Sequence, residues 1–362
     1  MTDHLMPPSY MSVPKAAALP VMKMGFSYAA KRRLIAHGIV SALQLAEIAT
    51  RSPQILKYLT GVSAVKARRM LEAELGILPD FSVTAVTFDS LPTAGVPDFT
   101  AITSVPPGDR RRQLQELLDS AGPLPTRMSL SSRMQPVGHQ GPHGTCVGWA
   151  ADAVQEFNLG RAMSAGYAYR GAKSRDGWHG EGSWLRFAFE HFYRTGHVED
   201  ANYSYSDAIR HEPIDRLSDA AKNGRSVGFM SLPIDMPDLM PRVMRAILTG
   251  QFHPQIGPRP IATSLRLHRS FTSTSTALDG LIPMPFPGEA SLGGHAMVVV
   301  GYVDATDVSN PFGLDYFIVR NSWGTVWAGE NPFGEAGHAL IPSQYFARRD
   351  LLMEGFLCVG QN

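Results

Sequence analysis

Two hydrophobic periodicities occupy different stretches of the chain and do not interleave. Residues 146–159 (CVGWAADAVQEFNL) carry Val147, Ala150, Ala151, Val154 and Phe157 at the spacing of one helical face. Residues 184–196 (WLRFAFEHFYRTG) repeat the pattern with Trp184, Phe187, Ala188 and His191 before Gly196 ends it. From residue 259 onward the pattern changes to Val- and Ile-rich runs that read as strands, at 259–265, 295–303, 315–323 and 338–342. A parallel fold needs the two kinds of segment to alternate. Helices first and strands later therefore predict an α+β architecture.

Ahead of this region the texture is helical on a smaller scale. Residues 34–49 carry Leu34, Ile35, Val40, Leu43, Leu45 and Ile48, with a break at Gly38. Residues 55–75 break at Gly61 and resume with Val65, Leu71 and Leu75 on one face, with Ser63 as N-cap. Two helix–Gly–helix units in tandem predict a small all-helical domain over 25–80, preceded by a loose leader over 1–24 rich in Pro, Met and Ala. Residues 81–123 read as a linker. A strand is expected within 77–107, and a short amphipathic helix at 108–120 bears Leu114, Leu117 and Leu118. The composition changes near 121–124, which leaves 124–362 for one large domain.

Composition bounds the function classes. Of 362 residues, 44% are hydrophobic and 18% charged, enough apolar material for a sizeable core, so wholesale disorder is excluded. Lys and Arg total 33 against 32 Asp and Glu, and this balance argues against a binder driven by overall charge. Two cysteines, Cys146 and Cys358, exclude a disulfide-stapled scaffold. The first residues lack the basic-then-apolar run of a signal peptide, and the apolar run 296–303 is far shorter than the ~20 residues that span a bilayer. The expectation is a cytoplasmic, reducing location with no membrane partner and no cofactor.

Chemistry concentrates at three places. Cys146 opens a helix directly after a Gly-containing turn, where unpaired backbone N–H groups and the positive helix end lower a thiol pKa and can hold an oxyanion. His295 opens a Val-rich strand after Gly293–Gly294, and Asn321 closes a later one. Gln140 stands six positions before Cys146. Each residue alone has a plainer reading as a core cysteine, a strand-end histidine or a turn asparagine. Together they supply a thiolate, a base, a group to orient the base and an oxyanion donor, which are the roles nucleophilic acyl transfer needs. A zinc site from His139, His143 and Cys146 is the competing reading. It lacks a fourth ligand nearby and places both histidines among glycines, so no metal is expected.

The blocks PVGHQGPHGTCVGWA, GGHAMVVVGY and YFIVRNSWGTVW resemble, in order, the three active-site blocks of the papain-like cysteine peptidases. EGSWLRFAFEHFYRTGHV followed by YSY is similar to the family's segment after the nucleophile helix. The resemblance covers roughly 124–362. It implies a two-lobed domain, with a helical left lobe and an antiparallel β right lobe, acting on a protein or peptide substrate. It also implies Cys146 as nucleophile, His295 as general base and acid, and Asn321 as the holder of the imidazole. Gln140 would be the oxyanion donor beside the Cys146 N–H. Trp323 would shield the His–Asn hydrogen bond, Trp327 would line the leaving-group side, and Gly182 and Gly294 would border the bound substrate. The chain departs from the family in having Val147 where an aromatic residue often follows the nucleophile, and Gly294 where an acidic residue often precedes the histidine. Residues 304–315 lengthen the hairpin between the His and Asn strands.

Residues 57–71 (KYLTGVSAVKARRML) resemble the second hairpin of a helix–hairpin–helix module, except that Ser63 replaces its second glycine. That resemblance implies a DNA contact through Gly61, Lys66 and Arg68. The plainer reading is a solvated basic helix face on a domain that binds a protein partner or the large domain itself. Three functions follow from the whole chain. The first is peptide-bond hydrolysis with an N-terminal adaptor domain. The others are a non-catalytic peptide-binding scaffold and a transpeptidase or deamidase working through the same acyl-enzyme.

Overall fold

The computed structural model describes residues 13–75, 107–226, 228–253 and 256–359. The first segment is a helical unit. Helix α1 (Val13–Ala18) and a 3₁₀ turn at Val21–Lys23 lead into α2 (Tyr28–Ala36), α3 (Ala42–Arg51), α4 (Pro53–Thr60) and α5 (Ala64–Leu75). Local chemistry sets the boundaries. Ser27 caps α2, Ser41 and Gln44 form a reciprocal capping box on α3, and Pro53 opens α4. Gly61 closes α4 at φ 71°, and the Lys66 N–H donates to the Ser63 hydroxyl at 3.4 Å. Leu34, Leu43, Leu56, Leu59 and Leu71 bury into a core belonging to this unit.

Three expectations change here. Residues 13–24 are not a loose leader: Ala16, Ala17, Val21 and Met24 lie in the helical core, and the Val21 N–H donates to Val40 O at 2.7 Å. Val65 does not share a face with Leu71 and Leu75. The buried stripe is Ala67–Leu71–Leu75, and Val65 sits about 200° around the helix from Ala67, in solvent. Helix α6 (Pro107–Ser120), expected within a linker, is built into the large core through buried Leu114 and Leu118. Arg242 fixes its end by donating to Leu118 O at 2.8 Å and pairing with Asp119. The strand expected within 77–107 and most of the linker ahead of α6 lie outside the described residues.

The large domain begins with β1 (Arg127–Ser129), then α7 (Cys146–Leu159), α8 (Ala165–Asp176), α9 (Leu185–Arg194), α10 (Tyr205–Ile209) and α11 (Ser218–Ala221). Next come β2 (Phe229–Ser231), α12 (Met240–Thr249), β3 (Ile261–His268), α13 (Thr274–Asp279), β4 (Ser291–Val303), β5 (Tyr316–Arg320), β6 (His338–Pro342), α14 (Ser343–Phe346) and β7 (Leu352–Cys358). The strands pair antiparallel in the order β2–β7–β3–β4–β5–β6, with β1 on β4. This is the α+β arrangement expected, with helices on one side and an antiparallel sheet on the other.

α7 lies between the helices and the sheet and is buried on nearly every side, from Cys146 to Asn158. Small residues make that possible. A Cβ on Gly148 would come within 2.5 Å of the Ala165 carbonyl, so only glycine lets α8 approach so closely. The N-terminus of α7 then meets β4, where the Ala296 N–H points at the Cys146 sulfur (3.4 Å). In the β4–β5 pair Val298 faces Arg320, so the residue after β5 returns beside the start of β4. Three distant blocks of sequence converge there.

The helical unit is fastened to the right lobe. The Glu47 carboxylate accepts the N–H groups of Thr274 (2.9 Å) and Ser275 (2.7 Å) at the start of α13. Gln44 donates to Leu281 O at 3.0 Å, and the Met284 N–H donates to His37 O at 3.0 Å. Among the described residues, no helix is long and apolar enough to cross a membrane.

Candidate active site

Cys146, Val147, Gly182, Trp184, Gly294, His295 and Glu354 line one cleft between the helices and the sheet. The sulfur is buried and receives the Ala296 N–H, with the N–H groups of Val147 and Cys146 also turned toward it. Those donors favour the thiolate, as the position at a helix start predicts. Burial outweighs them and pushes the thiol up to about 11. The expectation of a self-ionising thiol is therefore corrected. For the sulfur to act as a nucleophile, a neighbouring group would have to take its proton.

His295 lines the same cleft. Its Nε2 lies 2.8 Å from Asn321 Oδ1, which also accepts the Ser322 N–H at 2.8 Å. With Nε2–H donating to the amide oxygen, Nδ1 is the nitrogen left to exchange a proton. Burial pulls the imidazole down to about 4, with the Asn321 hydrogen bond working the other way. The Trp323 ring stacks on the imidazole at 4.7 Å and is itself met edge-on by Trp327 at 5.2 Å. Trp323 thus stands between His295 and Trp327, and neither indole is in the lining of the pocket that holds the thiol.

Gln140 is held from three sides. Its backbone N–H donates to Ser322 O (2.8 Å), its Oε1 accepts from the Ser322 hydroxyl (2.6 Å), and its Nε2 donates to His143 O (2.7 Å). One amide hydrogen remains after these contacts. The histidines weighed as metal ligands are engaged otherwise. His139 Nδ1 accepts the Gly141 N–H at 2.9 Å, and His143 faces Glu181 at 3.5 Å.

The rim of the cleft is stitched by residues that pattern reading missed. Lys173 on α8 donates to the carbonyls of Trp178 (2.6 Å), Gly180 (3.0 Å) and Gly182 (3.2 Å), and pairs with Asp176 at 2.9 Å. Gly182 adopts φ 85°, a conformation that favours glycine. Across the cleft Glu354 on β7 is buried. Its Oε2 accepts from Ser264 (2.8 Å) and from the Leu185 N–H (3.2 Å), while its Oε1 is buried without a partner. A lone glutamate in the apolar run LLMEGFLC was the sequence signal for it. Gly61, Lys66 and Arg68 lie apart from the cleft lining, on the helical unit, where all three are exposed.

Residues 259–338 match the family model described as papain family cysteine protease. An uncharacterized peptidase C1-like protein of Acanthamoeba polyphaga mimivirus is 25% identical over 175 residues, 47% of this chain and 49% of that protein. A probable cysteine protease of Arabidopsis thaliana is 27% identical over 177 residues, 45% of this chain and 42% of that protein. The chain spans about half the length of the curated relatives it matches. Xylellain, a cysteine protease from Xylella fastidiosa, is similar in fold with TM-score 0.55 and 18% identity, over 78% of this chain and 100% of that one. Sequence blocks, sheet topology and these likenesses agree on a papain-like fold for the large α+β domain, within which residues 259–338 match the papain family cysteine protease model.

Proposed function

We propose that the chain hydrolyses peptide bonds in a protein or peptide substrate through an acyl-enzyme on Cys146. As the sulfur attacks the carbonyl, His295 Nδ1 takes the thiol proton, and Asn321 keeps the ring aligned through Nε2. The remaining hydrogen of the Gln140 amide and the Cys146 N–H receive the developing oxyanion. His295 then protonates the leaving amine and activates the water that releases the acyl group. One observation carries this reading: the imidazole fixed to Asn321 at 2.8 Å adjoins Ala296, whose N–H holds the Cys146 sulfur. Both cysteines are free thiols, which suits a reducing compartment.

The test is selective labelling. A peptide bearing a thiol-directed electrophile is expected to add once per chain, at Cys146. Cys358, buried between Gln155 and Ser226 with its thiol pushed up to about 12, stays unmodified. Mass spectrometry after digestion reads the site. Equal labelling of both cysteines, or none, would reject the proposal.

Substrate choice follows from Glu354. A buried carboxyl with one oxygen unpartnered at the cleft wall calls for a donor from the substrate, and a Lys or Arg side chain supplies both hydrogen bond and charge. Glu354→Leu is expected to lower kcat/KM for a peptide placing a basic side chain there by about 10–100-fold, while sparing one that places leucine there. An unchanged ratio between the two peptides would remove Glu354 from specificity.

A further inference from the structure

We infer that the exposed cations of the helical unit bind the phosphate backbone of a nucleic acid. The near-neutral total charge conceals a segregation. Residues 13–75 hold ten Lys and Arg against three Glu, a net charge of +7, whereas the whole chain carries +1. The rest of the protein is therefore acidic. Glu47, one of the three glutamates, is buried on α13 and pairs with Arg51 at 3.5 Å, so it offsets nothing on the outer surface. Glu72 and Glu74 are the carboxylates left there, facing nine cations.

Geometry turns these cations outward on three helices. α3 faces the right lobe, through Gln44 and Glu47, while Arg32 on α2, Lys57 on α4, and Lys66, Arg68 and Arg69 on α5 are exposed. Arg33 donates to Leu59 O at 2.6 Å, which ties the basic run of α2 to the end of α4 beside the Gly61 turn. A Cβ built on Gly61 would meet nothing within 4 Å, so the turn is open to a close approach. Among the described residues, no carboxylate pairs with Lys57, Lys66, Arg68 or Arg69.

The chemistry favours a polyanion with regularly spaced charge over a lipid surface. A membrane-binding helix needs a continuous apolar face for the acyl boundary. In this unit the apolar faces are spent on its own core, and the exposed large apolar side chains Met22, Tyr28, Tyr58 and Val65 are scattered over a 3₁₀ turn and three helices. Cations spread over several helices instead suit backbone phosphates, where binding comes from counterion release. Because Glu47 and Gln44 fasten the unit to the large domain, a nucleic acid bound there would be tethered to the whole protein.

Fluorescence anisotropy of the full chain with a labelled 20-base-pair duplex tests this independently of any peptidase activity. Binding is expected in the range of about 10⁻⁶–10⁻⁴ M at physiological salt, weakening steeply as salt rises. The combined Lys57→Glu, Lys66→Glu, Arg68→Glu and Arg69→Glu variant should lose at least about tenfold in affinity while Cys146 still labels, which reports an intact large domain. The milder Lys66→Gln/Arg68→Gln pair should weaken binding and flatten the salt dependence by about two phosphate contacts, should the larger change disturb the unit. No binding at low salt would overturn the inference. So would equal affinity of the variants, competition by polyglutamate as strong as by unlabelled duplex, or binding to anionic vesicles in place of the duplex.

Discussion

Cys146→Ala is expected to reduce peptide turnover by about six orders of magnitude, the scale seen when a nucleophile is removed from an acyl-transfer triad. His295→Ala should cost nearly as much, and the double variant little more than either single one. The reason is the burial of the pair. The thiol is held up to about 11 and the imidazole down to about 4, so both are neutral across the pH range between. Neither ionises alone in that range, and the thiolate forms only as its proton passes to the ring. The two residues act as one unit, and units of this kind are strongly non-additive. Alkylation gives a second readout. In the wild type its rate should be level through neutral pH, whereas in His295→Ala it should rise only toward about pH 11, where the lone thiol ionises. Appreciable turnover in Cys146→Ala, or near-normal alkylation at pH 7 in His295→Ala, would refute the pairing.

The parts of this site that were legible in the sequence are those where a residue type and its local element coincide. Cys146 follows a Gly turn and opens a helix, and α7 spans the residues its periodicity marks. Asn321 directly follows β5, as its apolar run suggests, whereas His295, expected to open its Val-rich strand, is the fifth residue of β4, which starts at Ser291. What remained hidden depends on contacts between distant elements. The thiol's raised pKa comes from burial under the sheet, which no local pattern encodes. Lys173 looks like any surface lysine until the 178–182 loop folds back over it. Glu354 acquires meaning only because β7 pairs with β3, where Glu354 faces Ser264. The same limit explains Val65, whose hydrophobicity suggested the core although its place around α5 sets it in solvent. Residues 13–24 misled in the other direction. Their composition suits a leader, yet Val21 bonds to Val40 and packs, because α3 supplies a surface that short alanine-rich segments cannot make alone.

Acid is expected to unfold the protein steeply below about pH 4.5, and buried histidines supply the reason. His191 is buried with both ring nitrogens unpartnered, and burial, the nearby Arg175 charge and His197 bring it down to about 3. His197, 2.6 Å from Asp152, is brought to about 3 by burial, and His295 to about 4. Each folded pKa lies below the value of 6.5 for a free histidine. Between the two values the unfolded chain binds protons that the native one refuses, so this stability is complete above about pH 6.5 and lost as pH falls toward 3. Each histidine contributes up to about 1.4 kcal/mol per pH unit in that window. Glu156 opposes them at higher pH. Burial first and the Asp152 charge next raise it to about 8, so its contribution is present below 4.5 and fades as pH rises. Below 4.5 Glu156 no longer opposes the loss that the histidines cause. His191→Phe isolates one of them, because the ring is replaced by one of similar shape that removes two unpartnered buried nitrogens. The variant should be at least as stable as wild type at pH 7, and its loss of stability between pH 6 and 4 should be shallower by up to about one proton. Urea unfolding midpoints followed across that range measure the difference. Parallel curves for the two proteins would show that His191 is not held neutral in the native state.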